Sequence, residues 1–177
     1  MSNSTALVNS PLALSSMLLS VIYFVLVAGA AVAWNTGIVT TPLTAVDVPP
    51  ARAPSMIDEY PILAVACAAA RGTSRLRGLA ELRVKESDRF SATAAMLRAA
   101  GIRVETQAED LIIHGVPAIP GGGSVATHMD HRLAMSALVL GQITEAPMTI
   151  DDSSFIDTSF PNFVELMRRL GASIAPP

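Results

Sequence analysis

Charge is missing from the opening stretch of this chain: no Asp, Glu, Lys or Arg stands before Asp47 in a sequence of 177 residues. With no cation in it, that stretch cannot hold an anionic ligand by ion pairing. It also lacks the basic flank that a secretory signal or an oriented membrane anchor normally uses. Cysteine is nearly absent as well. The single Cys67 excludes a disulfide framework and a zinc pattern, and its setting among alanines reads as a small buried hydrophobe. Aromatic residues make up 5% of the chain and the net charge is −3, which leaves neither stacking platforms nor a basic patch for nucleic acid. No partner of that class is expected.

What the chain does have is apolar bulk, enough to bury a sizeable core in one domain with an appendage. Leu12 to Trp34 is apolar apart from scattered Ser and Gly, and it is long enough to span a bilayer as a helix. A membrane tether through Leu12 to Trp34 is one expectation for it. A Pro/Thr-rich stretch from Thr40 to Pro50 follows, which puts a boundary near residues 45 to 50.

Beyond that boundary helical and strand-like segments alternate. Asp58 opens a helix that has Pro61 in its first turn and runs to a stop at Gly72; its apolar character all round predicts burial on most sides. Thr73 to Arg77 reads as a strand, and Phe90, Ala94, Leu97 and Gly101 are spaced as on a second helix. Ile102 to Thr106 and Leu111 to His114 read as a hairpin, and Pro117 to Gly123 as a flexible Pro/Gly loop. Asp130 opens an apolar helix from Leu133 to Ile143, and Pro147 to Ile150 forms a strand. Ser159 caps a last helix carrying Phe160, Phe163, Met167 and Leu170, with a strand after Gly171. Leu97 to Val104 and Met167 to Ile174 match in type, and Asp58 and Asp130 stand at a similar offset. This predicts a duplicated α/β unit with nearly apolar helices inside and sheets outside.

Two charged clusters interrupt this pattern. Leu82-Arg83-Val84-Lys85-Glu86-Ser87-Asp88-Arg89 places Lys85, Glu86 and Arg89 together at the start of an otherwise apolar helix, and Asp130-His131-Arg132 repeats the arrangement downstream. Cations for anions beside a proton-transfer carboxylate suit a phosphorylated, acidic substrate. Charge runs are more often solvated helix caps, and the residues alone leave both readings open.

Four segments carry a resemblance to a known family: Pro54 to Pro61, Leu82 to Arg89, Thr127 to Arg132 and Ser159 to Phe163. In order and spacing they resemble the C-terminal part of the 5-enolpyruvylshikimate-3-phosphate synthases, from about Asp47 to Ala175. The sister transferases acting on UDP-N-acetylglucosamine share the fold but match the Arg83 to Arg89 wording less closely. The resemblance implies a partial lobe of the enolpyruvyl transferase fold, α/β (α+β) with repeated βαβαββ-type units. It divides the chain into 1–46, an uncharged apolar extension outside the family or a transmembrane segment, and 47–177, a partial transferase domain.

The implied reaction is attack of the 5-hydroxyl of shikimate 3-phosphate on C2 of phosphoenolpyruvate, followed by loss of phosphate from a tetrahedral adduct. On that resemblance Asp58 would be the base that also holds the substrate hydroxyls, and Glu86 would shuttle a proton at the methylene. Lys85 would contact shikimate 3-phosphate, and Arg89 and Arg132 would clamp phosphoenolpyruvate by bidentate guanidinium contacts. His131 would shape the same pocket, while Asp130 would cap its helix or orient Arg132. His114 and His128 are left with structural roles. No metal or organic cofactor is implied, and the family's location is the cytoplasm.

The chain departs from the family pattern in two respects. Thr158 stands where part of the family has lysine before Ser/Thr-Phe-Pro, which resembles the glyphosate-tolerant class. Only part of one of the family's two lobes is present, so a half-site open to water is expected. Two readings follow: a transferase that is weak, or is completed by a homo-oligomer or by a separate N-terminal lobe, and a truncated non-catalytic remnant serving as a binding or membrane-tethered module.

Overall fold

The computed structural model describes residues 43–175. The stretch from Leu12 to Trp34, read as a membrane tether, lies outside the described residues. Among the described residues no helix is long and apolar enough to cross a membrane.

A four-stranded sheet forms one outer wall. Its strands are β1 (Asp47–Val48), β2 (Gly72–Leu76), β3 (Arg103–Gln107) and β4 (Asp110–Gly115), in the order β1-β2-β4-β3. β1 runs parallel to β2, and the other pairings are antiparallel. Alternation decides which face is buried: Ser74, Leu76, Val104, Leu111 and Ile113 point inward, while Arg75, Asp110 and Glu105 point out. The hairpin is as expected, with Ala108 and Glu109 as its turn. The Pro/Thr-rich stretch contributes to this sheet from residue 43 onward. Arg71 N–H donates to Leu43 O, Ala45 N–H donates to Arg71 O, and Asp47 pairs with Arg77 across the edge.

Three helices fill the interior: α2 (Tyr60–Ala69), α3 (Arg89–Ala99) and α4 (His131–Leu140), with the single turn α1 (Ala53–Met56) ahead of them. Pro61 sits in the first turn of α2, where its missing N–H costs nothing. α2 is buried along most of its length, and its alanines let it pack on β4, α3 and α4. Apolar helices inside and a sheet outside is the predicted layering.

The second half departs from the expectation in three places. The supposed flexible loop holds a short strand, β5 (Ile119–Gly121), and a second, β6 (Ser124–Val125), follows directly after the loop. They pair in parallel with β7 (Thr144–Ala146) and β8 (Thr149–Ile150). Gly121 is required there, because it has φ +74° and a Cβ would lie 2.2 Å from Ala146 O. Parallel pairing over that separation leaves no local signature, so Pro and Gly read as a loop. Ser159 does not cap the last helix; it ends a 3-10 turn (Ser154–Thr158), and α5 (Phe163–Arg169) starts after Asn162 in the left-handed region. No strand follows Gly171, since residues 172–174 meet no partner strand among the described residues.

The internal repeat extends to individual hydrogen bonds. Gly101 N–H donates to Arg98 O and Ile102 N–H to Leu97 O, and Gly171 and Ala172 make the same bonds to Arg168 and Met167. Arg98 Nε reaches Val104 O at 3.2 Å and Arg168 Nε reaches Ile174 O at 2.9 Å.

Candidate active site

The starts of α2, α3 and α4 converge, and each brings part of the charged cluster. Asp58 lies in the 3-10 turn Ile57–Glu59 that leads into α2. Asp88 is the N-cap of α3, accepting Ser91 N–H at 3.0 Å, so of the predicted trio only Arg89 lies in the helix. Lys85 and Glu86 precede it, on the bend after the 3-10 turn Ala80–Val84. Capping by Asp88 turns the chain here and aims them across the helix start. Asp130 caps α4, accepting Arg132 N–H at 3.0 Å and Leu133 N–H at 3.3 Å. Asp58 caps no helix, so the two aspartates at similar offsets have different jobs.

Arg89 is the hub. Its Nε donates to Asp130 Oδ2 at 2.5 Å and its Nη1 to Asp58 Oδ1 at 2.8 Å. Nη2 lies 2.5 Å from Glu86 Oε2, but the angles are not those of a hydrogen bond, so this contact is ionic and Nη2 is a buried donor without a hydrogen-bond acceptor. The Arg89 and Asp130 side chains are both 0% exposed. Burial pushes the Asp130 carboxyl up, yet the hydrogen bond and charge of Arg89, with Ser87 Oγ donating at 3.0 Å, hold it below the usual carboxylate range. Two guanidinium bonds and a cap thus lock three helix starts together.

The remaining groups form the open side. Glu86 is 55% exposed and Asp58 39%. Lys85, the only lysine in the chain, places Nζ 2.8 Å from Glu81 Oε1 and 3.7 Å from Asp58 Oδ1. The Glu81 hydrogen bond, which outweighs burial, raises its ammonium above the ordinary lysine value. Arg132 Nη2 stands 3.9 Å from Asp58 Oδ2 and Nη1 3.6 Å from Glu59 Oε1. Burial, and then the Arg132 charge, lower the His131 imidazole below its usual value, which favours a neutral ring.

Asp58, Lys85, Glu86, Arg89 and Arg132 are therefore brought into one cluster, with His131 beside it. Arg89 lies beneath the others, and a ligand anion would reach its Nη2 by taking the place of Glu86. Glu59, Glu81 and Ser87 were not singled out from sequence. Glu81 had a readable signal, an i,i+4 offset from Lys85. Ser87 and Glu59 had none, because only the approach of α2, α3 and α4 makes them neighbours of the cluster. Elsewhere, His114 bridges Thr73 and Glu105 on the outer sheet face, and Thr158 Oγ1 donates to Phe155 O at 2.6 Å. A shallow depression around Phe160, Pro161 and Leu166 shares no residue with the cluster.

The sequence profile of EPSP synthase (3-phosphoshikimate 1-carboxyvinyltransferase) matches residues 16–167. The chain belongs to the EPSP synthase family. That match begins inside the uncharged segment. The chain is 70% identical over 132 residues to the 3-phosphoshikimate 1-carboxyvinyltransferase of Acidiphilium cryptum (strain JF-5), covering 75% of this chain and 29% of that protein. It is 63% identical over 133 residues to the enzyme of the same name from Bradyrhizobium sp. (strain ORS 278), covering 75% and 30%. Among solved structures, EPSP synthase from Acinetobacter baumannii superposes with a TM-score of 0.71 at 39% identity, over 76% of this chain and 32% of that one. The chain thus spans about a third of the length of the EPSP synthases it matches, as a partial lobe of that fold.

Proposed function

We propose that this chain carries the C-terminal part of an enolpyruvyl transfer site, taking shikimate 3-phosphate and phosphoenolpyruvate to the enolpyruvyl ether and phosphate. The observation that carries this reading is the pairing of two partly exposed carboxylates, Asp58 and Glu86, on one buried guanidinium, with Lys85 and Arg132 on the open side. Asp58 takes the proton of the attacking 5-hydroxyl, and Glu86 delivers a proton to the methylene carbon and removes it when phosphate leaves. Lys85 holds shikimate 3-phosphate, while Arg132 and the Nη2 edge of Arg89 hold phosphoenolpyruvate. His131, kept neutral, lines the pocket. In this reading the remaining cations come from a complementing N-terminal lobe or from a second copy of the chain.

Phosphate release by the full chain with both substrates tests this. Release that needs both substrates and falls by about 10²- to 10⁴-fold in Asp58→Ala is the expected result. No release above background from folded protein, alone or with a separately supplied N-terminal lobe, would favour the second reading, a non-catalytic remnant. One observation favours that reading: Asp58, Glu59, Glu81, Glu86 and Asp130 surround only Lys85, Arg89 and Arg132, so the cluster is short of cations for an acidic substrate.

Thr158 supports a further expectation. It is exposed, uncharged, and turned to its own backbone, so the position offers glyphosate no cation. Turnover is expected to tolerate glyphosate, and an inhibition constant in the range of sensitive family members would refute this.

A further inference from the structure

We propose that Glu81 is a built-in counter-ion that an anionic ligand must displace from Lys85, and that it thereby sets how tightly the site takes phosphate. This rests on the reading of Lys85 as an anion-binding residue of the proposed transferase site.

Each cation of the cluster has a carboxylate of its own chain beside it: Arg89 has Glu86 at 2.5 Å, Arg132 has Glu59 at 3.6 Å, and Lys85 has Glu81 at 2.8 Å. Unlike Glu86, Glu81 takes no part in the proposed proton transfers, and at 2.8 Å it lies closer to its cation than Glu59 does to Arg132 at 3.6 Å. Glu81 lies in the 3-10 turn Ala80–Val84 and Lys85 directly follows it, so their i,i+4 offset brings the carboxylate to the ammonium within one short segment. The same hydrogen bond dominates the upward shift of the Lys85 ammonium.

The exposures make the exchange feasible. Glu81 is 51% exposed against 22% for Lys85, so the carboxylate can swing into water while the ammonium stays in the site. A half-exposed ion pair is weak, and removing it shifts a competing equilibrium by about two- to fivefold. A phosphate dianion brings two charges against the single charge it displaces. A monocarboxylate only replaces like with like, so Glu81 also biases Lys85 toward phosphate.

Isothermal titration of the full chain with inorganic phosphate tests this, alongside NMR of the Lys85 ammonium, the chain's single lysine signal. Glu81→Gln should bind phosphate about two- to fivefold more tightly. Glu81→Asp should return toward the parent affinity, and on a Lys85→Met background Glu81→Gln should change nothing. Equal affinities in parent and Glu81→Gln overturn the proposal. So does a gain that survives Lys85→Met, or phosphate binding by neither protein. Tighter phosphate binding without turnover, alone or with a separately supplied N-terminal lobe, leaves the counter-ion role standing and refutes enolpyruvyl transfer. Turnover whose KM for the phosphorylated substrates ignores Glu81→Gln refutes the counter-ion role alone.

Discussion

Asp130→Ala is expected to lower the stability of the fold by about 3–5 kcal/mol, the cost typical of breaking a buried ion pair by removing one partner. Arg89 stays fully buried after the substitution, and its Nε points at the vacated carboxylate. Asp58 and Glu86 engage the other two guanidinium nitrogens and cannot take over that direction. The α4 cap is lost as well, since Asp130 accepts the Arg132 and Leu133 amides, which adds about 1 kcal/mol. Urea unfolding of the parent and the variant at neutral pH measures the difference, and a loss below about 1 kcal/mol would contradict the account. Acid titration gives an independent check. The folded Asp130 carboxyl is held below its ordinary value, so its contribution is fully present above the unfolded value of about 3.9 and is lost as pH falls through the lower folded value. The parent should lose stability through that acid window, and the variant should lose less.

Gly115→Ala is expected to cost about 3 kcal/mol or more, at or beyond the top of the usual overpacking range. Gly115 ends β4 opposite Gly72, and a Cβ there would lie 1.9 Å from Ala70 O and 2.7 Å from Cys67 O. Both oxygens belong to the backbone at the end of α2, so no side chain can rotate away. Strand and helix must separate. The other end of α2 follows directly on the turn that holds Asp58, so a tilt of this helix also draws Asp58 from Arg89. Gly141→Ala is the matched control. Gly141 has φ −60°, and its Cβ would meet only ordinary contacts at 3.5–3.6 Å, so its stability should change by less than about 1 kcal/mol. Comparable losses in the two variants would show that the close approach of β4 to α2 is not what constrains position 115.

Much of the first unit was legible because its signals are local. Continuous apolar character with Pro61 near the start is enough to place α2, and period-two alternation around Ala108-Glu109 is enough to place the hairpin. The second unit was less legible. Its strands are two or three residues long and pair in parallel with partners far along the chain, so the stretch from Pro117 to Gly123 shows only its Pro and Gly. Ser159 was misread as a cap because a Ser ahead of spaced apolar residues is a common helix start. The residue that does precede α5 is Asn162, in the left-handed region and making no side-chain cap, a conformation that no local pattern announces.

The proposed site residues divide in the same way. The family resemblance carried along the chain pointed to Asp58, Lys85, Glu86, Arg89, His131 and Arg132. Only the packing of α2, α3 and α4 decided that Asp58 and Asp130 share one guanidinium, since the three residues lie far apart in sequence and meet through burial of apolar helix faces. It also decided which charges are buried. Asp130 and Arg89 are sealed from water, while Glu86 and Glu81 remain half exposed. Sequence determined which chemical groups this protein has and where along the chain they stand; tertiary structure alone determined their solvent exposure and neighbours, because both depend on contacts between segments that no local pattern encodes.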